Sequence, residues 1–263
     1  LRNQCVKNGC FPDRHKKLLE DLKIYKNPYT ENQEERGNWA NGLDLKDLGN
    51  NDNAKVLYFV GFTTSFRIPE LARATTNILQ KAGVDFGILG KKEVCCASTA
   101  EKIGDEQLWE EYALKNIEFF NSLGIEEIVT SCAGCYGMMH VHYKWLKKET
   151  DFKVYHITEY IEKMIKEGKI KFSNEVPLKV TYHDPCHLGR HMALEIEQSI
   201  IEESKNLMMD SRKIRQAINE WYEVPRIVLR QLEQDVGIKF TEMYRIKLDS
   251  FCCGAGGGVR AGY

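Results

Sequence analysis

Short apolar runs alternate with amphipathic stretches along most of this chain. Residues 55–61 (KVLYFVG) are apolar at every position after the lysine and close on glycine, the pattern of a strand buried on both faces of a parallel sheet. Residues 68–82 carry apolar side chains at helical spacing, with Pro69 in the first turn and Gly83 as the stop. A strand over 84–89, a helix over 106–123 ended by Gly124, a strand over 125–130 and a helix over 136–148 follow. A strand over 152–156 and a helix over 157–166 close this first series. The pattern restarts at 178–182 (LKVTY), a further strand. Residues 194–235 read as helical with an interruption at Pro225, 239–242 as another strand, and 251–263 as a glycine-rich end. Residues 1–54 are polar, with a helix signal at 13–22, a turn at Asn27-Pro28 and a linker-like stretch at 50–53. This alternation predicts an α/β protein. It has two pseudo-repeated halves, 55–176 and 177–263, each a small, mostly parallel sheet flanked by helices, preceded by the region 1–54.

Charge and length narrow the class. The chain has 263 residues, and 37 Lys+Arg against 38 Asp+Glu leave a net charge of -1. That balance offers no basic excess for a phosphate backbone, so nucleic acid is not an expected partner. No apolar run approaches the roughly 18 residues of a membrane span, and no signal peptide is visible. The expected location is cytoplasmic, with a partner able to hold the protein at the inner face of a membrane. The chain begins at Leu1 rather than Met and reads as a piece of a longer protein.

Nine cysteines change the picture: Cys5, Cys10, Cys95, Cys96, Cys132, Cys135, Cys186, Cys252 and Cys253. An odd number without a secretory signal argues against a disulfide scaffold. Two pairs are adjacent, a geometry that rarely bridges. Clustered thiolates suit soft metals. Ligands of an open parallel sheet gather beyond the carboxyl ends of its strands. Cys132 and Cys135 follow the strand 125–130, Cys186 follows 178–182, and Cys95-Cys96 follow 84–89. The Cys132-Ala133-Gly134-Cys135 loop has three readings: a redox dithiol at a helix N-terminus, half of a zinc site, or a cluster loop whose small residues let backbone N–H groups approach sulfide. The pair Cys95-Cys96 upstream favours the last.

Between Cys96 and Cys132 stand 35 residues, and position 62 precedes Cys95 by 32 intervening residues. The second half carries His183-Asp184-Pro185-Cys186-His187-Leu188-Gly189-Arg190 and Cys252-Cys253-Gly254-Ala255-Gly256-Gly257-Gly258. These strings and spacings resemble the cysteine-rich, or CCG, domain of heterodisulfide reductase catalytic subunits and their relatives, over residues 55–263. Cys10-Phe11-Pro12, with Cys5, resembles the end of a ferredoxin motif, which closes on Cys-Pro, so 1–54 is read as a ferredoxin-like tail and linker. The resemblance implies a single-chain type in which ferredoxin and CCG domains are fused. In that family each complete motif holds a non-cubane [4Fe-4S] cluster through five cysteines, and the clusters cleave the disulfide of coenzyme M and coenzyme B. Relatives act in sulfite reduction, in glycolate or lactate oxidation and in benzoyl-CoA reductase complexes. The implied partners are other redox subunits, a membrane cytochrome subunit among them, and a small disulfide substrate.

The chain departs from that pattern in three places. Position 62, a cysteine in the family, is Phe62, which leaves Cys95, Cys96, Cys132 and Cys135 at the first motif. Four thiolates are the number a [4Fe-4S] cubane needs, so the first motif is expected to hold a cubane that relays electrons, the alternative being an empty or zinc-bound scaffold. The second motif has 65 residues between Cys186 and Cys252, with the extra length in a charged helical insertion near 195–220, a solvated surface hairpin or a docking element. The sequence ends ten residues after Cys253, before the final CxxC the resemblance implies, which is expected to have been removed. Cys186, Cys252 and Cys253 are expected to serve a second, non-cubane [4Fe-4S] cluster against Gly254, Gly256 and Gly257, and Cys10, in the ferredoxin-like tail, is a further candidate metal ligand. Catalysis falls to this site, with His183 and His187 as proton donors to a leaving thiolate or hydrogen-bond partners of sulfide. The alternative for His183 is a backbone hydrogen bond at the strand end. Arg190 and Arg260 serve either an anionic group of the substrate or surface salt bridges. His140 and His142 lie on different helix faces and are not expected to share a metal. The alternative function is a non-catalytic electron-transfer subunit of a larger redox complex.

Overall fold

A computed structural model describes residues 1–204, 211–256 and 259. The chain divides into two compact units, one of residues Leu1–His156 with Cys253–Tyr263 and one of residues Ile157–Cys252.

The first unit is built on a five-stranded parallel sheet. After the helices α1 (Arg2–Lys7) and α2 (Asp13–Tyr25) come the strand β1 (Lys46–Asp47) and the central strand β2 (Val56–Phe59). The short helix α3 (Phe62–Phe66), α4 (Pro69–Lys81), β3 (Phe86–Ile88), α5 (Ser98–Ile103) and α6 (Glu106–Ser122) lead to β4 (Glu127–Thr130). The helix α7 (Ala133–His140) and the strand β5 (Lys153–His156) complete the unit. The strands lie in the order β1-β3-β2-β4-β5, all parallel. The chain therefore steps from β2 to one side, then crosses back to β4 on the other, and the two strands at this reversal pair in register, Val56 with Glu127 and Phe59 with Thr130. Leu57, Tyr58 and Phe59 are fully buried, as a strand covered on both faces requires. Pro69 opens α4, and the Asp105 carboxylate accepts the Leu108 N–H at 3.0 Å to cap α6. Beneath the sheet, Phe120 of α6 stands edge-on to Phe59 and Phe152 at 6.1 and 5.6 Å.

The second unit holds α8 (Ile157–Lys166), a parallel pair of short strands β6 (Lys179–Val180) and β7 (Lys239–Phe240), and two longer helices, α9 (Arg190–Glu203) and α10 (Ser211–Val236). The helices α8 and α9 both pack on α10.

Several expectations need correction. The segment before residue 55 is no linker: Trp39 is buried edge-on against Tyr58, Leu48 is buried, and β1 joins the sheet edge beside β3. Its low apolar content hid this, because a few large side chains carry the burial. The helix expected over 136–148 is α7 followed by a 3₁₀ turn at His142–Leu146. Pro225 does not interrupt α10. A proline inside a helix forfeits one hydrogen bond, but Tyr222, Pro225, Arg226 and Val228 are buried together on this helix, and that packing carries it through. The units part at His156–Ile157 rather than at 176, because α8 turns its apolar side to α10.

Candidate metal centres

The first centre lies at the carboxyl ends of β2 and β4, where the strand order reverses, the place where open parallel sheets bind ligands. After β4, the Thr130 hydroxyl accepts the Cys132 N–H at 3.3 Å. Cys132 caps α7, its sulfur accepting the Cys135 N–H at 3.4 Å. Cys95, Cys96 and Cys135 are buried and Cys132 is half-buried. The four thiols lie close enough to shift one another. Cys96 is held below the ordinary thiol range by its neighbours Cys135 and Cys95, and Cys132 by Cys135, with the backbone N–H groups opening α7 adding to the effect at Cys132. Cys95 and Cys135 are pushed up by the neighbouring thiols and by burial.

The adjacent pair is fixed by its backbone. The Asn116 side chain donates to the Cys95 carbonyl at 3.0 Å and to the Tyr143 hydroxyl, which donates in turn to the Cys96 carbonyl at 3.2 Å. Ala97 follows at φ 71°, a left-handed turn that swings the chain away immediately after the pair. The Cys95 N–H donates to the Lys26 carbonyl at 3.2 Å, so the end of α2 also holds the pair.

Sequence reasoning missed Gly61, Glu93 and Arg36. Gly61 is buried at φ 77°, and a Cβ on it would stand 3.3 Å from the Cys135 sulfur. The Glu93 carboxylate accepts the N–H groups of Val60 and Gly61, each at 2.8 Å, and pairs with the Arg36 guanidinium at 2.6 Å. A glycine directly before position 62 was the visible signal for the first; nothing in the spacing pointed to the other two. Phe62 stands edge-on to Tyr29 at 5.1 Å, half-buried, and contributes no donor atom.

Four thiols in one buried group suit the ligation of an iron–sulfur cluster. Among the described residues no three Cys, His, Asp or Glu side chains are arranged to hold a single metal ion. Of the neighbouring histidines, His140 stacks on Tyr136 at 4.9 Å and bonds the Val154 carbonyl at 3.2 Å, while His142 stacks on Trp145 at 4.1 Å.

In the second unit the loop after β6 is organised by a buried charge network. Arg226 holds the Asp184 carboxylate through two bonds of 2.8 Å, donates to Glu242 at 2.6 and 3.1 Å, and donates to the Tyr222 carbonyl. Asp184 also accepts the Lys247 N–H at 2.7 Å, and its carbonyl accepts the Ser250 hydroxyl at 3.1 Å. The Arg190 guanidinium donates to the Ser250 carbonyl at 2.8 Å. Asp184 and Ser250 stand two residues before Cys186 and Cys252, so one network anchors the approaches to both cysteines. Cys186 is half-buried and Cys252 exposed. His183 is exposed, and His187 stacks on His191 at 4.7 Å. Beside this loop, Tyr182, Asp184, Leu188, Gly189, Trp221 and Tyr222 wall a cavity with room for about one water.

In the first unit, Cys253, Gly254 and Gly256 are exposed, with Gly254 at φ 72°. Gly257 and Arg260 lie outside the described residues. Cys10 is exposed, its thiol 3.5 Å from the Asn8 carbonyl, and is not part of the buried group of four.

Residues 56–140 and 180–218 match the cysteine-rich domain, CCG. Over its full length the chain is 35% identical to a component of the dihydromethanophenazine:CoB–CoM heterodisulfide reductase of Methanosarcina mazei, and it covers 57% of that protein. It is 30% identical to the EtfAB:quinone oxidoreductase of Syntrophomonas wolfei over 98% of the chain and 32% of that protein. It is also 30% identical to the probable iron–sulfur-binding oxidoreductase FadF of Bacillus subtilis over 89% of the chain and 30% of that protein. The chain thus spans little more than half of the longest-covered of these relatives. Residues 56–140 and 180–218 are thus similar to the cysteine-rich domain, and heterodisulfide reductase components are among the proteins this chain resembles.

Proposed function

We propose that the chain is an iron–sulfur oxidoreductase component in which the first centre relays electrons to a second. The observation that carries this reading is the group of four neighbouring thiols, three of them buried, at the sheet reversal. Cys95, Cys96, Cys132 and Cys135 would hold a [4Fe-4S] cubane, and Cys186, Cys252 and Cys253 would contribute to a second cluster. A bound cluster supplies one-electron transfer. Around the first, this chain excludes water by burying Cys95, Cys96 and Cys135 and fixes the backbone through Asn116 and Tyr143. At the second, His183 or His187 would deliver protons. Reductive cleavage of a disulfide consumes two electrons and two protons and releases two thiols. The electrons would come from partner redox subunits, and the disulfide would be that of coenzyme M and coenzyme B or a related one.

The water-sized cavity beside the Cys186 loop favours the second reading, an electron-transfer component that passes its electrons to a partner. Reduction of a small disulfide by the chemically reduced, iron-loaded chain separates the two.

The first centre is tested on a chain carrying Cys186→Ala and Cys252→Ala, reconstituted with iron and sulfide. Four irons per chain with cubane Mössbauer parameters are expected; zinc or no metal at the remaining cysteines would sink the reading. The second is tested in the iron-loaded protein, where Cys186 and Cys253 are expected within about 10 Å of each other. A larger separation ends the claim that they share a cluster.

A further inference from the structure

Arg36 is a buried cation whose hydrogen bonds are incomplete. Its side chain is 1% exposed, and its Nη2 meets Glu93, itself 2% exposed, at 2.6 Å. The Nε and Nη1 donors are buried and have no hydrogen-bond partner. An unmet charged donor in a protein interior costs more than a neutral one, so two on one guanidinium call for a further acceptor, water or a bound group. Glu93 is fully engaged by Arg36 and by the Val60 and Gly61 N–H groups. Gly61 in turn brings the backbone against the Cys135 sulfur. An ion pair, two backbone hydrogen bonds and a close backbone approach therefore join Arg36 to Cys135.

We propose that Arg36 is a positioning and charge-compensating residue of the first centre, its two unpaired N–H donors serving a sulfur anion, thiolate or bridging sulfide, of the group held there. The inference rests on the iron–sulfur reading of Cys95, Cys96, Cys132 and Cys135 and adds a role for a residue outside the cysteine pattern. A fixed positive charge beside an anionic cluster stabilises its reduced, more negative form. Hydrogen bonds to cluster sulfur act in the same direction.

The test uses the full chain with Cys186→Ala and Cys252→Ala, loaded with iron and sulfide and grown with arginine labelled with nitrogen-15 in the guanidinium. Pulsed EPR of the reduced cluster is expected to show a weak coupling to guanidinium nitrogen that is lost in Arg36→Lys. The midpoint potential is expected to be lower in Arg36→Met/Glu93→Gln than in Glu93→Gln, the comparison that removes the cation alone, and to change less in Arg36→Lys. Absence of an arginine coupling in the loaded parent overturns the proposal whether or not the double variant folds. So does a double variant with full iron content whose potential equals that of Glu93→Gln. A parent chain that takes up no iron sinks the cluster reading and this one with it, and that outcome is seen before any Arg36 variant is made.

Discussion

At single positions the first centre depends on groups that are not ligands. Gly61 meets two demands together, a left-handed φ of 77° and a 3.3 Å approach to the Cys135 sulfur. Gly61→Ala is expected to lose about 1–3 kcal/mol in urea unfolding from the backbone term and to lower the iron retained at the first centre. Unchanged unfolding with full iron would show that the close approach is dispensable. Arg226 plays the corresponding part in the second unit. It is fully buried and holds two carboxylates, Asp184 at 3% and Glu242 at 33% side-chain exposure. Removing one partner of a buried pair costs about 3–5 kcal/mol because the other charge is stranded. Arg226→Met is therefore expected to destabilise by about that amount, and Arg226→Met/Asp184→Asn by less than the two single changes added together. Strict additivity in the double-mutant cycle would contradict the coupling.

Among the elements, the sheet reversal determines what meets what. Parallel pairing of β2 and β4 sets Phe59 beside Thr130, so the turns that follow bring Gly61 against Cys135. The helix α6 holds this sheet from one side through Phe120, which is fully buried between Phe59 and Phe152. Phe120→Ala is expected to cost about 3–5 kcal/mol by urea denaturation, with the thiol group loosened as a consequence. A loss below about 1 kcal/mol would mean that the neighbours collapse into the space. The helix positions were legible from periodicity and stop signals: the helix expected at 157–166 is α8 (Ile157–Lys166), and that expected at 106–123 is α6 (Glu106–Ser122). The short α3 and α5 were not, because five and six residues hold too little periodicity to register.

Across the molecule, buried histidines link folding to pH. His140 and His156 are both pulled down to about 4 by burial. Their folded values lie below the unfolded value of about 6.5, so the unfolded chain takes up these protons first. Stability is expected to be level above about pH 6.5 and to fall as pH drops toward 4, by up to about 1.4 kcal/mol per pH unit for each group. Urea midpoints across that range measure it, and His156→Gln is expected to flatten the slope. An equally steep slope in that variant would place the sensitivity elsewhere. Among the described residues no helix is long and apolar enough to cross a membrane.

The alternation of apolar runs sufficed for the α/β class, because strand burial is written in local patterns, and the cysteine spacing singled out Cys95, Cys96, Cys132 and Cys135, which the fold brings close together. The order of strands was not legible, since it depends on which apolar runs pair across long separations. Nor was the inclusion of residues 1–54 in the first unit, where Trp39, Arg36 and β1 are recruited by a surface that only the folded sheet presents. The Arg36–Glu93 pair spans 57 positions and the Arg226–Asp184 pair 42, and in the linear chain each of these residues looks like any solvated charge. Their burial, and with it their hold on the cysteine loops, exists only once the helices and strands have closed around them.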